Sequence, residues 1–276
     1  MAGLNVVMKT EISIPDQDSI PAERTSLPEK PGALRGEVWL TIQTIHAQRL
    51  FHGRVATTDK PTIVGLVGFA NRLRVIWQGA RNDDPYADWW LIKIHDAIEK
   101  AGDVIRGSQM DLEKRLEQMD AMAVDIAASQ RPYRVPLKFA NPYAYRGAKL
   151  LTEFDKLVCM ALTVRHIGLL GGQSCEDILK ASARKVRSIF MIPQGYRLLK
   201  INREQVKNAM GRSHEARQLM GEVPGDVLNG KRQAPLVPRK VSFPSGFSGN
   251  VQLRPGAAVS DTNSSIDKNI DKNDDG

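Results

Sequence analysis

Residues 134–140 read Arg-Val-Pro-Leu-Lys-Phe-Ala, and their chemistry divides by parity. In an extended chain successive side chains point to opposite faces, so Arg134, Pro136 and Lys138 share one side while Val135, Leu137 and Phe139 share the other. Such a strand can rest its greasy side on a core and present cations outward. Cationic side chains at this spacing suit the acceptor-rich base edges of the DNA major groove, which admits a two-stranded ribbon. Arg134, Pro136 and Lys138 are therefore the candidate base-contacting residues. Pro136 would interrupt a central strand but is tolerated on a strand with a free edge.

A second set lies further along, where Gly-Gln-Ser-Cys-Glu-Asp opens a helix at 172–177. The first turn of a helix has backbone N–H groups without intrahelical partners, which makes a seat for phosphate. Gln173, Ser174 and Cys175 are the candidate clamp, with Ser174 expected as N-cap and Asp177 near the capping-box position. Arg131, Lys180 and Arg187 join them as candidate phosphate contacts. These contacts would hold the protein in place, while the strand would carry sequence preference.

Other chemistries find less support. His46, His52, His95, His166 and His214 lack ligand spacing with a nearby Cys or acid, so no metal is expected. Two cysteines are too few for a disulfide framework or a zinc site. Cys159 reads as core; Cys175 stands at a helix start, where a thiol's pKa can fall, and reads either as a redox sensor or as a plain helix start. Asp83, Asp84 and Asp88 beside Trp89 could be acids of a metal-dependent nuclease. Asp84 is better explained as a cap before Pro85, and Asp88 as a first-turn acid favoured by the helix dipole. Trp77, Trp89 and Trp90 read as core. No phosphate-binding glycine loop, nucleophile elbow or catalytic triad is visible. The expectation is a non-enzyme with no cofactor and no small-molecule substrate.

The elements that must position these residues follow from periodicity. A strand is expected at 37–44, with Val38, Leu40 and Ile42 alternating against Trp39, Thr41 and Gln43. A helix is expected at 62–78 with Val67, Ala70, Leu73 and Trp77 on one face, closed by Gly79. Another begins at Asp84-Pro85 and carries Trp89, Trp90, Ile92, Ile94 and Ile98. A separate charged helix is expected at 108–123, with Leu112, Leu116 and Met119 as a stripe. A long helix at 143–169 has Leu150, Leu151, Phe154, Leu157, Val158, Ala161 and Leu162 as its apolar face. After Gly171-Gly172, the last runs to Ile192 and stops at Pro193, with Ile178, Ser182, Val186, Ile189 and Phe190 inward. The regions expected are a disordered tail at 1–34, a strand plus helices at 35–130, a basic strand–helix–helix region at 131–222, and an extended or disordered tail at 223–276.

Strand, helix, Gly-turn, helix is the order of a ribbon-helix-helix unit. The turn is similar to that family's Gly-x-Ser-x-Ser-Glu pattern, with Ser174 and Glu176 in place and Cys175 where a serine usually stands. The expected class is mostly α with a small β component, an enlarged ribbon-helix-helix-like DNA-binding fold. An ordinary strand and two helices within a larger α-rich domain is the alternative. In the ribbon-helix-helix case two chains pair their strands, because a lone strand cannot satisfy its own backbone, and a homodimer is expected. The strand at 37–44 is the competing ribbon, but Trp39, Thr41 and Gln43 carry no charge.

Charge agrees with a nucleic-acid partner or an anionic lipid surface. The chain of 276 residues is +8 overall, with residues 82–130 holding eleven acids and five bases and residues 131–217 holding seventeen bases and six acids. Arginine outnumbers lysine ten to seven in the basic block, which favours bidentate phosphate or base contacts. No apolar run is long enough to span a membrane. The first 31 residues carry acids and prolines without an apolar core, so no secretory leader is expected and the location expected is cytoplasmic, on the nucleoid.

A wider likeness rests on Glu-Val-Trp-Leu-Thr at 37–41, Ala-Gln-Arg-Leu-Phe-His-Gly-Arg at 47–54, Ile-Trp-Gln-Gly-Ala-Arg at 76–81, Asp-Asp-Pro-Tyr-Ala-Asp-Trp-Trp-Leu at 83–91, Val-Pro-Leu-Lys-Phe-Ala-Asn-Pro-Tyr at 135–143, Arg-His-Ile-Gly-Leu-Leu at 165–170 and Pro-Gln-Gly-Tyr-Arg at 193–197. Together these segments, spread over about 35–238, resemble the AcaB family, also labelled "integrating conjugative element protein". The resemblance implies a protein of conjugative plasmids or integrative elements, with an unusual, enlarged ribbon-helix-helix fold. It would bind double-stranded DNA upstream of transfer-regulator genes and activate their transcription. It does not say which strand is the ribbon. A structural, assembly or DNA-processing accessory of the conjugation machinery is the other function such a context would allow.

Overall fold

The two alternating stretches pair with each other. Strand β1, Val38–Ile42, runs antiparallel to β4, Tyr133–Leu137, with Val38 opposite Leu137, Leu40 opposite Val135 and Ile42 opposite Tyr133. The structure is a computed structural model and describes residues 36–58, 61–119 and 123–240. The ribbon is thus completed within one chain. Pairing of 134–140 with a second chain was expected because a lone strand leaves its backbone unmet; β1 meets that need, and the two rival ribbons are halves of one. Both strands are edge strands, so Pro136, opposite Trp39, fits without breaking a ladder on both sides.

Between the strands lie α1, Ile45–His52, a small second ribbon of β2, Gly53–Arg54, with β3, Ile63–Val64, then α2, Leu66–Arg81, and α3, Pro85–Glu117. After β4 come α4, Pro142–His166, α5, Gly172–Met191, a 3-10 turn at Ile192–Gly195, and the short helices α6, Arg203–Lys207, α7, Ser213–Met220, and α8, Gly225–Leu228. The described residues are mostly helical with two small two-stranded sheets. Helix α4 is the hub: α1, α2, α3, α5 and β1 all pack on it. Leu150, Leu151, Phe154, Leu157, Val158 and Ala161 are buried as their spacing predicts, whereas Leu162 lies on the open side. Asn141 caps α4, accepting from the Tyr143 N–H at 2.8 Å.

Several boundaries differ from expectation for identifiable reasons. Helix α3 is one element of 33 residues, not two, because Ile98, Ala101, Ile105 and Leu112 continue a single buried stripe against α4 through Gly102 and Gly107. Gly79 lies inside α2 and caps nothing; a Cβ there would stand 2.2 Å from the Tyr196 hydroxyl, so close approach is what requires glycine. Val67, placed on the buried face of α2, is exposed, and Leu66, Phe69 and Ile76 are buried instead. Residues 223–240, expected as extended or disordered tail, contain α8 and bury Val223, Val227 and Ala234. The expected tail at 1–34 and the rest of that at 223–276 lie outside the described residues.

The three acids at 83, 84 and 88 are structural. Asp84 caps α3, accepting from the Tyr86 N–H at 2.9 Å and from the Tyr196 hydroxyl at 2.7 Å. Burial outweighs those hydrogen bonds and pushes its carboxyl up from 3.8 to about 6, with the Asp88 charge adding to the rise. A carboxyl held protonated more tightly in the fold than in the unfolded chain supports folding fully below its unfolded pKa, and that support is lost as pH rises through about 6. Asp84→Asn keeps a capping acceptor without the charge. Relative to the parent, this variant should gain stability on the order of 2–3 kcal/mol between pH ~4 and ~7. Urea unfolding across that range measures the difference, and a gap that does not change with pH would show that Asp84 ionises normally in the fold.

Candidate nucleic-acid interface

The ribbon has an inner and an outer face. Leu40, Ile42 and Leu137 are buried, with Tyr133 and Val135 packed beside them, so the inner face rests on the core. Arg134, Pro136 and Lys138 are exposed, and the register sets Arg134 opposite Thr41 and Pro136 opposite Trp39. The Arg134 guanidinium lies 5.2 Å from the centre of the Trp39 ring, a cation–π approach that limits the arginine's freedom before any ligand arrives. Trp39 is itself held by donating from Nε1 to a Glu37 carboxylate oxygen at 3.2 Å. One small outward surface thus combines two cations, one carboxylate, an indole and a hydroxyl, drawn from both sides of the ribbon. Gln43, the third outward residue suggested for the first strand, is committed elsewhere: its side-chain oxygen accepts from the Ser129 N–H at 3.0 Å.

A buried carboxylate holds the ribbon in place. Asp155 on α4 accepts from the Gln43 N–H at 2.6 Å, the Thr44 N–H at 3.0 Å and the Thr44 hydroxyl at 2.6 Å. Thr44 in turn caps α1 through the Ala47 N–H. Sequence reasoning overlooked Asp155, since one acid among leucines on a helix gives no hint of what it reaches.

The expected phosphate set is only partly assembled. The cap of α5 is Gly171, not Ser174, because the Cys175 N–H already bonds the Gly171 carbonyl at 3.0 Å. Gly172, Gln173 and Ser174 therefore hold the first-turn N–H groups, and all three residues are exposed. Cys175 cannot serve: its side chain is fully buried, its thiol lies 3.7 Å from the Ala161 carbonyl, and its N–H is used by the helix. Burial also pushes the Cys175 thiol up, against a redox role. Gln173 donates to Asp177 at 2.9 Å and Lys180 pairs with Glu176 at 2.7 Å, both on the open helix surface. Arg187 is half-buried, with Nε donating to the Ala183 carbonyl. Arg131 is exposed just before β4. Ribbon contacts fall on α4 between Tyr145 and Asp155, while α5 starts against Ala161, so the two candidate sets are offset along that helix.

Among the described residues no group of three or more His, Cys, Asp or Glu side chains could hold a metal, and no helix is long and apolar enough to cross a membrane.

Residues 30–240 match the family model described as "Transcriptional regulator AcaB". Among solved structures the chain is similar to selenomethionine-containing AcaB from uropathogenic E. coli, at 14% identity, covering 71% of this chain and 98% of that one with a TM-score of 0.49. No curated protein matches. With a match over most of its length, covering both strands of the ribbon and every described helix, the chain belongs to the AcaB family of transcriptional regulators.

Proposed function

We propose that this chain binds double-stranded DNA in a sequence-specific way and activates conjugative transfer genes of an integrative element or plasmid, acting on the nucleoid in the cytoplasm. The observation that carries the DNA-reading part is the outer face of the β1–β4 ribbon, where Arg134 and Lys138 stand exposed beside Trp39 and Thr41. Family membership supports transcriptional control, and the resemblance of the quoted segments supports the mobile-element setting. In this reading the ribbon enters the major groove. Backbone N–H groups of Gly172, Gln173 and Ser174, with Arg131, Lys180 and Arg187, meet phosphates. The consecutive order β4, α4, α5 supports an enlarged ribbon-helix-helix-like unit with an intrachain ribbon. The homodimer expected from strand pairing loses that ground, because β1 pairs with β4 within one chain.

The test compares Arg134→Ala and Lys138→Ala with Arg187→Ala on the upstream DNA of the protein's own operon and on a scrambled duplex. A side-chain pair to a base edge contributes ~1–3 kcal/mol of discrimination. The ribbon variants should lower the ratio of specific to scrambled affinity accordingly and leave weak nonspecific binding in place. Arg187→Ala should weaken both duplexes alike and flatten the log–log salt dependence by about one unit. An unchanged ratio in both ribbon variants would remove the ribbon as the reading element.

A further inference from the structure

The outer side of α2 and the turn between β4 and α4 form an open cleft of about 330 Å³. Arg74, Trp77, Gln78 and Arg81 line it from α2, with Asn82 just past the helix end, and Ala140 and Asn141 close it from the turn. Positions 74, 77, 78 and 81 are the i, i+3, i+4, i+7 set of one helical face, spanning about 10 Å. Of these, Arg74, Gln78 and Arg81 are exposed and only Trp77 leans on the core, which takes Leu66, Phe69, Ala70, Leu73 and Ile76 from this helix. Among the described residues neither Arg74 nor Arg81 forms an ion pair. Two guanidiniums therefore border one concavity with no ion-pair partner among the described residues.

Two of the lining side chains are held in place. Trp77 is half-buried and packed on the core, so its ring is a rigid surface of the cleft. Asn141 is buried with its side chain committed to the Tyr143 N–H and, more loosely, the Leu73 carbonyl. Arginine pairs bidentately with phosphate oxygens, and two of them match the charge of a phosphomonoester. A fixed indole gives a flat ring something to stack on, and the free amides of Gln78 and Asn82 can donate and accept at a ring edge. The volume is at the small end for ligand pockets, enough for one ring, one sugar and one phosphate.

We propose that this cleft is a binding site for a small planar organic phosphate of the nucleoside monophosphate class, held by Arg74 and Arg81 with its ring against Trp77. The site adjoins the end of the ribbon, with Ala140 two residues past Lys138, and its occupancy can be measured without DNA.

The experiment titrates the full-length protein, free of DNA, with the four ribonucleoside 5′-monophosphates, with the matching nucleosides and with inorganic phosphate, by calorimetry and tryptophan fluorescence. At least one monophosphate should bind saturably and more tightly than its nucleoside or phosphate alone. Arg74→Ala and Arg81→Ala should each weaken it by at least about tenfold, as expected for losing charge-assisted hydrogen bonds, with unchanged thermal unfolding. Trp77→Phe should abolish the fluorescence response while retaining heat of binding. No saturable binding by any monophosphate, or binding untouched in the double arginine variant, overturns the proposal. So does a loss of duplex-DNA affinity in that double variant with no nucleotide present, which would make the two arginines part of the DNA surface.

Discussion

Arg203→Ala is expected to cost about 3–5 kcal/mol of folding free energy, because it strips the partner from a buried charge. Arg203 sits on α6 with its side chain 12% exposed, and it donates to Asp88, to Asp83 at 3.2 Å, and to the carbonyls of Val227 and Leu228. One guanidinium thereby ties the first turn of α3 to α6 and α8, elements too short to hold themselves. Asp88 has a side chain only 3% exposed. Its burial already raises its carboxyl above the ordinary value, with the Arg203 charge pulling the other way. Without Arg203 the rise grows, and a buried Asp88 must either stay charged alone or take a proton. The deficit should therefore shrink as pH falls, since protonation removes the isolated charge. Asp88→Asn in the same chain should recover part of the loss. Denaturant unfolding of the single and double variants at pH ~5 and ~7.5 measures this. A loss under ~1 kcal/mol, the range of an exposed pair, would mean that Arg203 is no more than a surface ion-pair partner.

Features legible in the sequence are those whose cause is local. The parity of Val135, Leu137 and Phe139 against Arg134, Pro136 and Lys138 is a property of seven consecutive residues, and the exposures follow it. The Asp84-Pro85 start of α3 is equally local, because cap and proline act on the same turn. What escaped depends on partners distant in the chain. Val38 opposite Leu137 is a register no window reveals, so two strands with similar patterns looked like rivals. Glycine at 102 and 107 predicts a break by propensity alone, yet the buried stripe against α4 overrides it. Ser174 looks like a cap, but the Cys175 N–H already bonds the Gly171 carbonyl, so the cap lies at Gly171. In the candidate site, Arg134 and Lys138 were legible as outward cations, but the Trp39 ring beside Arg134 was not, because the pairing that brings it there is nonlocal. The Arg74, Trp77, Gln78 and Arg81 face carried a readable helical spacing; its concavity comes only from the turn at Ala140 and Asn141.

Asp155→Ala is expected to lower stability by about 3–5 kcal/mol and to loosen the ribbon before the rest of the fold. Asp155 is 2% exposed, and its two oxygens satisfy two backbone N–H groups and one hydroxyl at the point where β1 turns into α1. Hydrogen bonds to a charged acceptor contribute roughly 1.5–3 kcal/mol each, and the donors left behind would stay partly buried without a partner. They do not add fully, because the Gln43 and Thr44 groups share one carboxylate. The cut is also directional. Ile42, the last residue of β1, precedes Gln43 directly, so releasing that turn frees the end of the strand opposite Tyr133 and Arg134. Asp155→Asn retains one acceptor oxygen but turns an NH₂ toward groups that are themselves donors, so it should lose a large part of the same stability. Two measurements together decide the matter: global unfolding by denaturant, and amide hydrogen exchange along β1 and β4. In Asp155→Ala, exchange at Leu40 and Ile42 should become faster than exchange in the middle of α4, with a matching loss of operator discrimination while scrambled DNA still binds weakly. Uniform exchange across β1 and α4 would show that the carboxylate stabilises the whole fold without governing the ribbon. A stability change under ~1 kcal/mol would show that water replaces it at the turn, and that the ribbon keeps its place through apolar contacts of Leu40, Ile42 and Leu137 alone.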